Sequence, residues 1–349
     1  MKKIIGILMV VCFVVGCKNP FFPEKEEKKK GSYSLDIEMV TIPAGAFIMG
    51  SPNGTEDTTE EPSREPNEKQ HKVILTHSFM MSKNLVTQGQ WKKVMGADDE
   101  RLDAIYDGTD YDRTDYGRGD NYPMYYVSWY DVVEFCNILS EMEGLTPAYI
   151  IDKKNKDPNN LDHMDNDTLK WTVTLIKNSN GYRLPTEAQW EYAARGDYPN
   201  KTTEVNTMPF GIGDGTKISH EIANFYYYYP YDFAKGGTYY DSEGIYSNRT
   251  TEVGSYSANN YGLHDMHGNL FEWCWDWFGD YDNSFETRTS GIGDNEDPAG
   301  PTSGILRVRR GGHYGSYGGA SVQPIGSTAV HRMGQGVALM VSGLCAPEF

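Results

Sequence analysis

Between Tyr182 and Gly196 the chain reads YRLPTEAQWEYAARG, and this stretch constrains the fold more than any other. Thr186, with Gln189 three residues on, is a helix start, and Gly196 is a stop. Trp190 and Tyr192 load that helix with aromatic surface, so it packs against other elements. Arg183 and Glu187 lie among these apolar residues, where an unpaired charge is costly, so each is expected to find a partner. Downstream, Trp273, Trp275 and Trp277 read as further core aromatics; their dense spacing favours burial over a sugar-stacking platform. The 349 residues include 7 Trp, 25 Tyr and 13 Phe beside 37 Gly and 17 Pro, which points to a loop-rich globular body rather than a helical bundle.

Thirty-two Lys and Arg against 49 Asp and Glu give a net charge of −17. Sequence-independent binding to nucleic acid needs many phosphate-neutralising cations, so no nucleic-acid partner is expected.

Lys2 and Lys3 precede an apolar run from Ile4 to Gly16 that ends at Cys17. The run is too short to span a bilayer as a mature helix and reads as a signal peptide over 1–16. Val14-Val15-Gly16-Cys17 resembles the lipobox of bacterial lipoproteins, which implies cleavage before Cys17 and acylation of that residue. Two or three acyl chains anchor a protein stably to a membrane, and the expected location is the outer surface of the bacterial envelope. Residues 17–34, rich in Glu and Lys, read as the lipidated cysteine and a tether, and residues 35–349 as a single domain. Cys136, Cys274 and Cys345 then remain, enough for one disulfide at most. No CxxC, HExxH or GxxxxGK[ST] pattern occurs, so neither a zinc site nor a phosphate loop is expected.

Local patterns place a hairpin over Met39–Ile48 and a strand over His71–Met81. They place a short helix over Gln90–Met95 behind a Thr87 cap, and a second helix behind Ser128. Residues 97–122 and 152–168, crowded with Asp, Asn, Gly and Tyr, read as long loops, and Val337–Val341 as a buried strand.

Several segments, in order, resemble the formylglycine-generating enzyme (sulfatase-modifying factor) family: Pro43-Ala44-Gly45 with Met49-Gly50, Val86-Thr87, Tyr126–Trp129, Tyr182–Gly196, Tyr261–Trp273 and Arg307–Gly312. The resemblance implies an α+β, C-type-lectin-like fold of that type, with a twisted antiparallel sheet, two main helices and extensive loops. It also implies that Asn269 and Glu272 bind structural Ca²⁺, a hard cation suited to oxygen ligands. Asn224 and Glu243 resemble a second such site, with Glu where Asp is usual. No other cofactor is expected.

The oxidases of the family carry two copper-binding cysteines shortly after the Gly-Gly. Those positions here are Ser316 and Ser321, and hydroxyls do not suit Cu(I) as thiolates do. The formylglycine-generating activity is therefore expected to be absent, and the chain is read as no enzyme. His313 and His331 are too few for a metal site and read as surface residues.

Residues 311–347 carry one formal charge, Arg332, where the 23% average would place about eight. Instead they mix Gly, Ser, Tyr, His and Gln, the composition of adaptable binding loops. Lipobox, fold, lost cysteines and this segment together resemble the variable proteins of diversity-generating retroelements, above all the treponemal kind. That resemblance implies a variable region at about 307–345 whose positions His313, Gly315, Ser316, Tyr317, Gly319, Ser321, Ile325, Ser327, Ala329 and His331 face a protein or glycan ligand. A lipoprotein of fixed specificity, structural or adhesive, is the other reading, and the oxidase a distant third.

Overall fold

The computed structural model describes residues 35, 37–50, 69–96, 116–163, 167, 169–196, 210–213, 215–226, 231–232, 238–239, 249–279, 296–315 and 328–330. Contacts divide the chain into one unit over Met1–Tyr33 and another over Ser34–Phe349. The signal peptide and tether, Glu243, Cys345, the strand expected at Val337–Val341 and much of the variable region lie outside the described residues.

Among the described residues three helices follow the starts expected at Thr87, Ser128 and Thr186. They are α1 (Gln88–Met95), α2 (Trp129–Met142) and α3 (Glu187–Arg195). Each opens on a reciprocal capping box: Thr87 with Gln90, Ser128 with Asp131, and Thr186 with Gln189. A capping side chain contributes about 1 kcal/mol by satisfying an otherwise orphaned N–H, which is why these starts are sharp. No helix among the described residues is long and apolar enough to cross a membrane.

The strands are β1 (Met39–Ile42), β2 (Gly45–Met49), β3 (His71–Leu75), β4 (Phe79–Ser82), β5 (Tyr149–Lys156) and β6 (Trp171–Leu175), then β7 (Lys217–Ile218), β8 (Tyr231–Asp232), β9 (Thr238–Tyr239), β10 (Glu272–Trp277), β11 (Arg307–Arg310) and β12 (Thr328–Val330). Among the described residues they pair in five small sheets, each strand pair antiparallel: β1–β4, β2–β3, β5–β6, β7–β8–β9 and β10–β11–β12.

Three local expectations change. Met39–Ile48 is no hairpin, because β1 pairs with β4 and β2 with β3. His71–Met81 is not one strand but two, broken at Thr76–Ser78 so that β3 and β4 can serve those different partners. Residues 152–156 belong to β5, whose outer half is exposed and charged and so lacks the apolar alternation that marks a strand in sequence.

Among the described residues, two smaller apolar clusters accompany two large ones. One surrounds α2 and includes Trp91 stacked on Phe135 with ring centroids 4.9 Å apart. The other gathers Met49, Val73, Met81, Trp190 and Val308 around α3. Both Cys136 and Cys274 are buried free thiols, one in each large cluster.

Candidate ligand-binding face beyond the last central strand

The β10–β11 pair lies between the two large clusters and sorts its side chains by alternation. Toward α3 it presents Glu272, Cys274 and Asp276, with Val308 and Arg310. Toward α2 it presents Trp273, with Trp275 packed on Trp129 at 5.3 Å. Trp190, Trp273 and Trp277 are buried, as expected, while Trp275 and Tyr192 are only partly so. Trp275 also stacks on Tyr149 along a groove of about 690 Å³ that includes Arg183, Asn178 and Asp297.

On the α3 side the charges form a buried clamp. Glu191 accepts from Arg195 Nη2 at 2.7 Å and Arg310 Nη2 at 2.5 Å, and from the Gly50 N–H at 3.0 Å. Burial alone would raise the Glu191 pKa, but these cations and the N–H hold it below its usual value. Glu187 pairs with Arg310 at 3.6 Å, and its N–H donates to Asp276. Among the described residues Arg183 pairs with no carboxylate; half-buried, it donates to Leu184 O and Gln189 Oε1. Burial, with Asp276 and Glu187 close by, pushes the Cys274 thiol well up, so it is held as an inert thiol.

Past Arg310 the chain turns on Gly311 and Gly312, with φ of +89° and +74°. A Cβ on Gly311 would stand 3.2 Å from the Trp190 ring and 3.3 Å from Glu272 Oε1, so the left-handed turn and the close approach both call for glycine. Gly268 N–H donates to Gly311 O at 2.7 Å, and Tyr314 N–H to Asn269 O at 3.0 Å. These bonds seat Tyr314 among Leu85, Tyr125 and Leu270, with Tyr116 alongside. The backbone then reaches an exposed Gly315. Chain description resumes at β12, an edge strand that places Ala329 opposite Val308. Ser316, Tyr317, Gly319, Ser321, Ile325, Ser327 and His331 lie outside the described residues.

His313 is not the ordinary surface residue its sequence context suggested. Its ring lies 4.8 Å from Phe271 and 5.4 Å from Tyr314. Burial, with Arg309 adding to it, lowers its pKa to about 4. Protonation therefore opposes folding: stability should fall as pH drops from about 6.5 toward 4 and be insensitive to this group above 7. Proton NMR should find the His313 ring titrating near pH 4; a midpoint near 6.5 would mean that the ring stands in solvent.

Of the two residues expected to bind calcium, Asn269 has its side chain engaged within the loop, whereas Glu272 has one carboxylate oxygen hydrogen-bonded and the other not. Asn269 Oδ1 accepts from Thr251 N at 3.0 Å and Asn224 Nδ2 at 3.3 Å, while its own amide donates to Thr251 O. Glu272 accepts the Trp190 indole N–H. Asn224 also turns N–H, not oxygen, toward Arg249 O. In this loop the buried oxygens without a hydrogen-bond partner include Glu272 Oε1, one of the expected ligands, and also Asp265 Oδ1 and Thr251 Oγ1, two residues that sequence reading passed over. Burial raises the Asp265 carboxyl to about 6. Among the described residues no three His, Cys, Asp or Glu side chains gather as a metal site.

The order of the motifs, the capped α3 against β10–β11 and the Gly-Gly exit define the class. The chain belongs to the sulfatase-modifying factor enzyme 1-like domain family, which it matches over residues 24–335. It is 35% identical over 247 residues to the chaperone protein LppX of Paenibacillus barcinonensis, covering 71% of this chain and 74% of that one. Similarity to the serine/threonine-protein kinase pkn1 of Chlamydia caviae, at 28% identity, covers 84% of this chain but only 36% of the kinase. Among solved structures, Treponema denticola variable protein 1 superposes over 88% of this chain and 95% of its own, with 26% identity and a TM-score of 0.58.

Proposed function

We propose that this is a lipid-anchored, surface-displayed binding protein of the bacterial envelope, without oxidase activity, whose ligand face is the C-terminal segment beyond Arg310. In this reading Cys17 carries the anchor, residues 18–34 form the tether, and a diversity-generating retroelement varies the face. The observation that carries it is the exit at Gly311–Gly312. A buried frame ends there, Gly315 is exposed, and the sequence that follows is almost without charge and rich in adaptable residue types. Likeness to the Treponema denticola variable protein supports the reading, as do Ser316 and Ser321 where the oxidases carry cysteines. His313 serves as the base of the face rather than its rim, since it packs on Phe271. Ala329, in the edge strand, is an edge position of the same face.

Sequencing the 3′ coding end from several isolates tests this. Changes clustered at adenine-containing codons between about 307 and 345 are expected, with 35–306 nearly constant. Changes spread evenly along the gene would overturn diversification. They would favour a second reading, a lipoprotein of fixed specificity that acts on protein clients, which the 35% identity to LppX supports.

A further inference from the structure

We infer that Arg309 anchors a carboxylate seat at the base of this face, taking an acidic side chain or C-terminus of a protein ligand. The inference rests on the reading of the segment as a ligand face and names the chemistry it selects. Each neighbouring arginine of β11 is already engaged. Arg307 donates to Trp275 O at 2.7 Å and lies over the Trp129 and Trp277 rings, and Arg310 is held by Glu187 and Glu191. Arg309, half-buried, lies 3.9 Å over the Phe271 ring, and its Nε is buried with no hydrogen-bond partner. Nor does the adjoining chain supply a counterion, because no Asp or Glu occurs from Pro298 to Pro347 in a protein of net charge −17.

A guanidinium desolvated in this way carries a cost that an oxyanion removes on arrival. With the Phe271 ring under the guanidinium carbon, a carboxylate in the guanidinium plane would accept two parallel N–H···O bonds. Burial lowers the Arg309 pKa only to about 10, so the charge persists at neutral pH, whereas His313 beside it is neutral there. A single planar fork matches a carboxylate better than a phosphate dianion.

The test uses the full chain labelled with ¹⁵N-arginine, with the Arg309 Nε–Hε resonance assigned from the Arg309→Gln variant. The probes are acetyl-Gly-Glu-Gly-amide, its Gln counterpart and inorganic phosphate. The Glu peptide should shift the Arg309 signal saturably, with a midpoint near about 10 mM at low salt. It should do so at least tenfold more weakly in Arg309→Lys, which keeps the charge but loses the fork. The Gln peptide should leave the signal in place. No shift with the Glu peptide, an equal shift with the Gln peptide, or saturation by phosphate at a tenfold lower concentration would overturn the assignment. Arg309→Gln should melt within about 3 °C of the parent; a loss of roughly 10 °C would make Arg309 a structural residue and sink the proposal. A silent Arg309 in a segment that varies among isolates removes the seat alone. A responsive Arg309 in an invariant segment removes diversification alone.

Discussion

Replacing Glu191 by glutamine is expected to cost about 3–5 kcal/mol of stability and to lower the melting temperature by roughly 10 °C. The side chain is fully buried and neutralises Arg195 and Arg310, which are themselves buried. Glutamine keeps the shape but removes the carboxylate charge that both buried guanidinium groups share. The clamp joins four pieces distant in sequence, namely the end of β2 at Gly50, helix α3, and strands β10 and β11 through Glu272 and Arg310. Its loss should therefore lower global stability rather than fray one loop. Chemical denaturation would measure it, and a loss under about 1 kcal/mol would mean that water reaches the clamp. Because the Glu191 pKa is depressed in the folded state, its contribution is present above the ordinary carboxylate range and is lost as pH falls through the lowered value.

Gly268→Ala is expected to cost about 2–4 kcal/mol and, unlike Glu191→Gln, to disturb the ligand face directly. Gly268 has φ +83°, and a Cβ there would stand 2.3 Å from the carbonyl oxygen of Asn224, a backbone atom that cannot swing aside. That carbonyl accepts the Asn269 N–H at 2.7 Å, while Gly268 N–H holds Gly311 O. Relief of the clash must move the support of the Gly-Gly exit. The His313 ring should then loosen from Phe271, and its pKa should climb from about 4 back toward 6.5. A destabilised variant whose His313 still titrates near 4 would break the proposed link between Gly268 and the face.

What was legible in the sequence was local. The capping boxes at Thr87, Ser128 and Thr186 set helix starts within three residues, so their signals survive without knowledge of the fold. The strands failed where pairing is remote, since nothing in Met39–Ile48 tells β1 to seek β4 some forty residues on. The clamp was half legible: Glu191 and Arg195 stand one helical turn apart, but Arg310 reaches Glu191 across 119 positions. Glu187 did need a partner, as its apolar setting implied; Arg183 did not need a charged one, because backbone and amide oxygens satisfied it. At the face, alternation along β11 could have separated Arg307 and Arg309 from Val308 and Arg310. That Arg309 alone of the three arginines lacks an oxygen partner depends on what surrounds it in space.

The most direct measurement randomises Gly315, Ser316, Tyr317, Gly319, Ser321, Ile325, Ser327 and His331 together in the full chain and records the melting temperature of each clone. The account predicts that most clones melt within about 3 °C of the parent, because these side chains serve recognition and leave the core intact. Losses of roughly 10 °C across the library, as for Glu191→Gln, would place them in the core and contradict it.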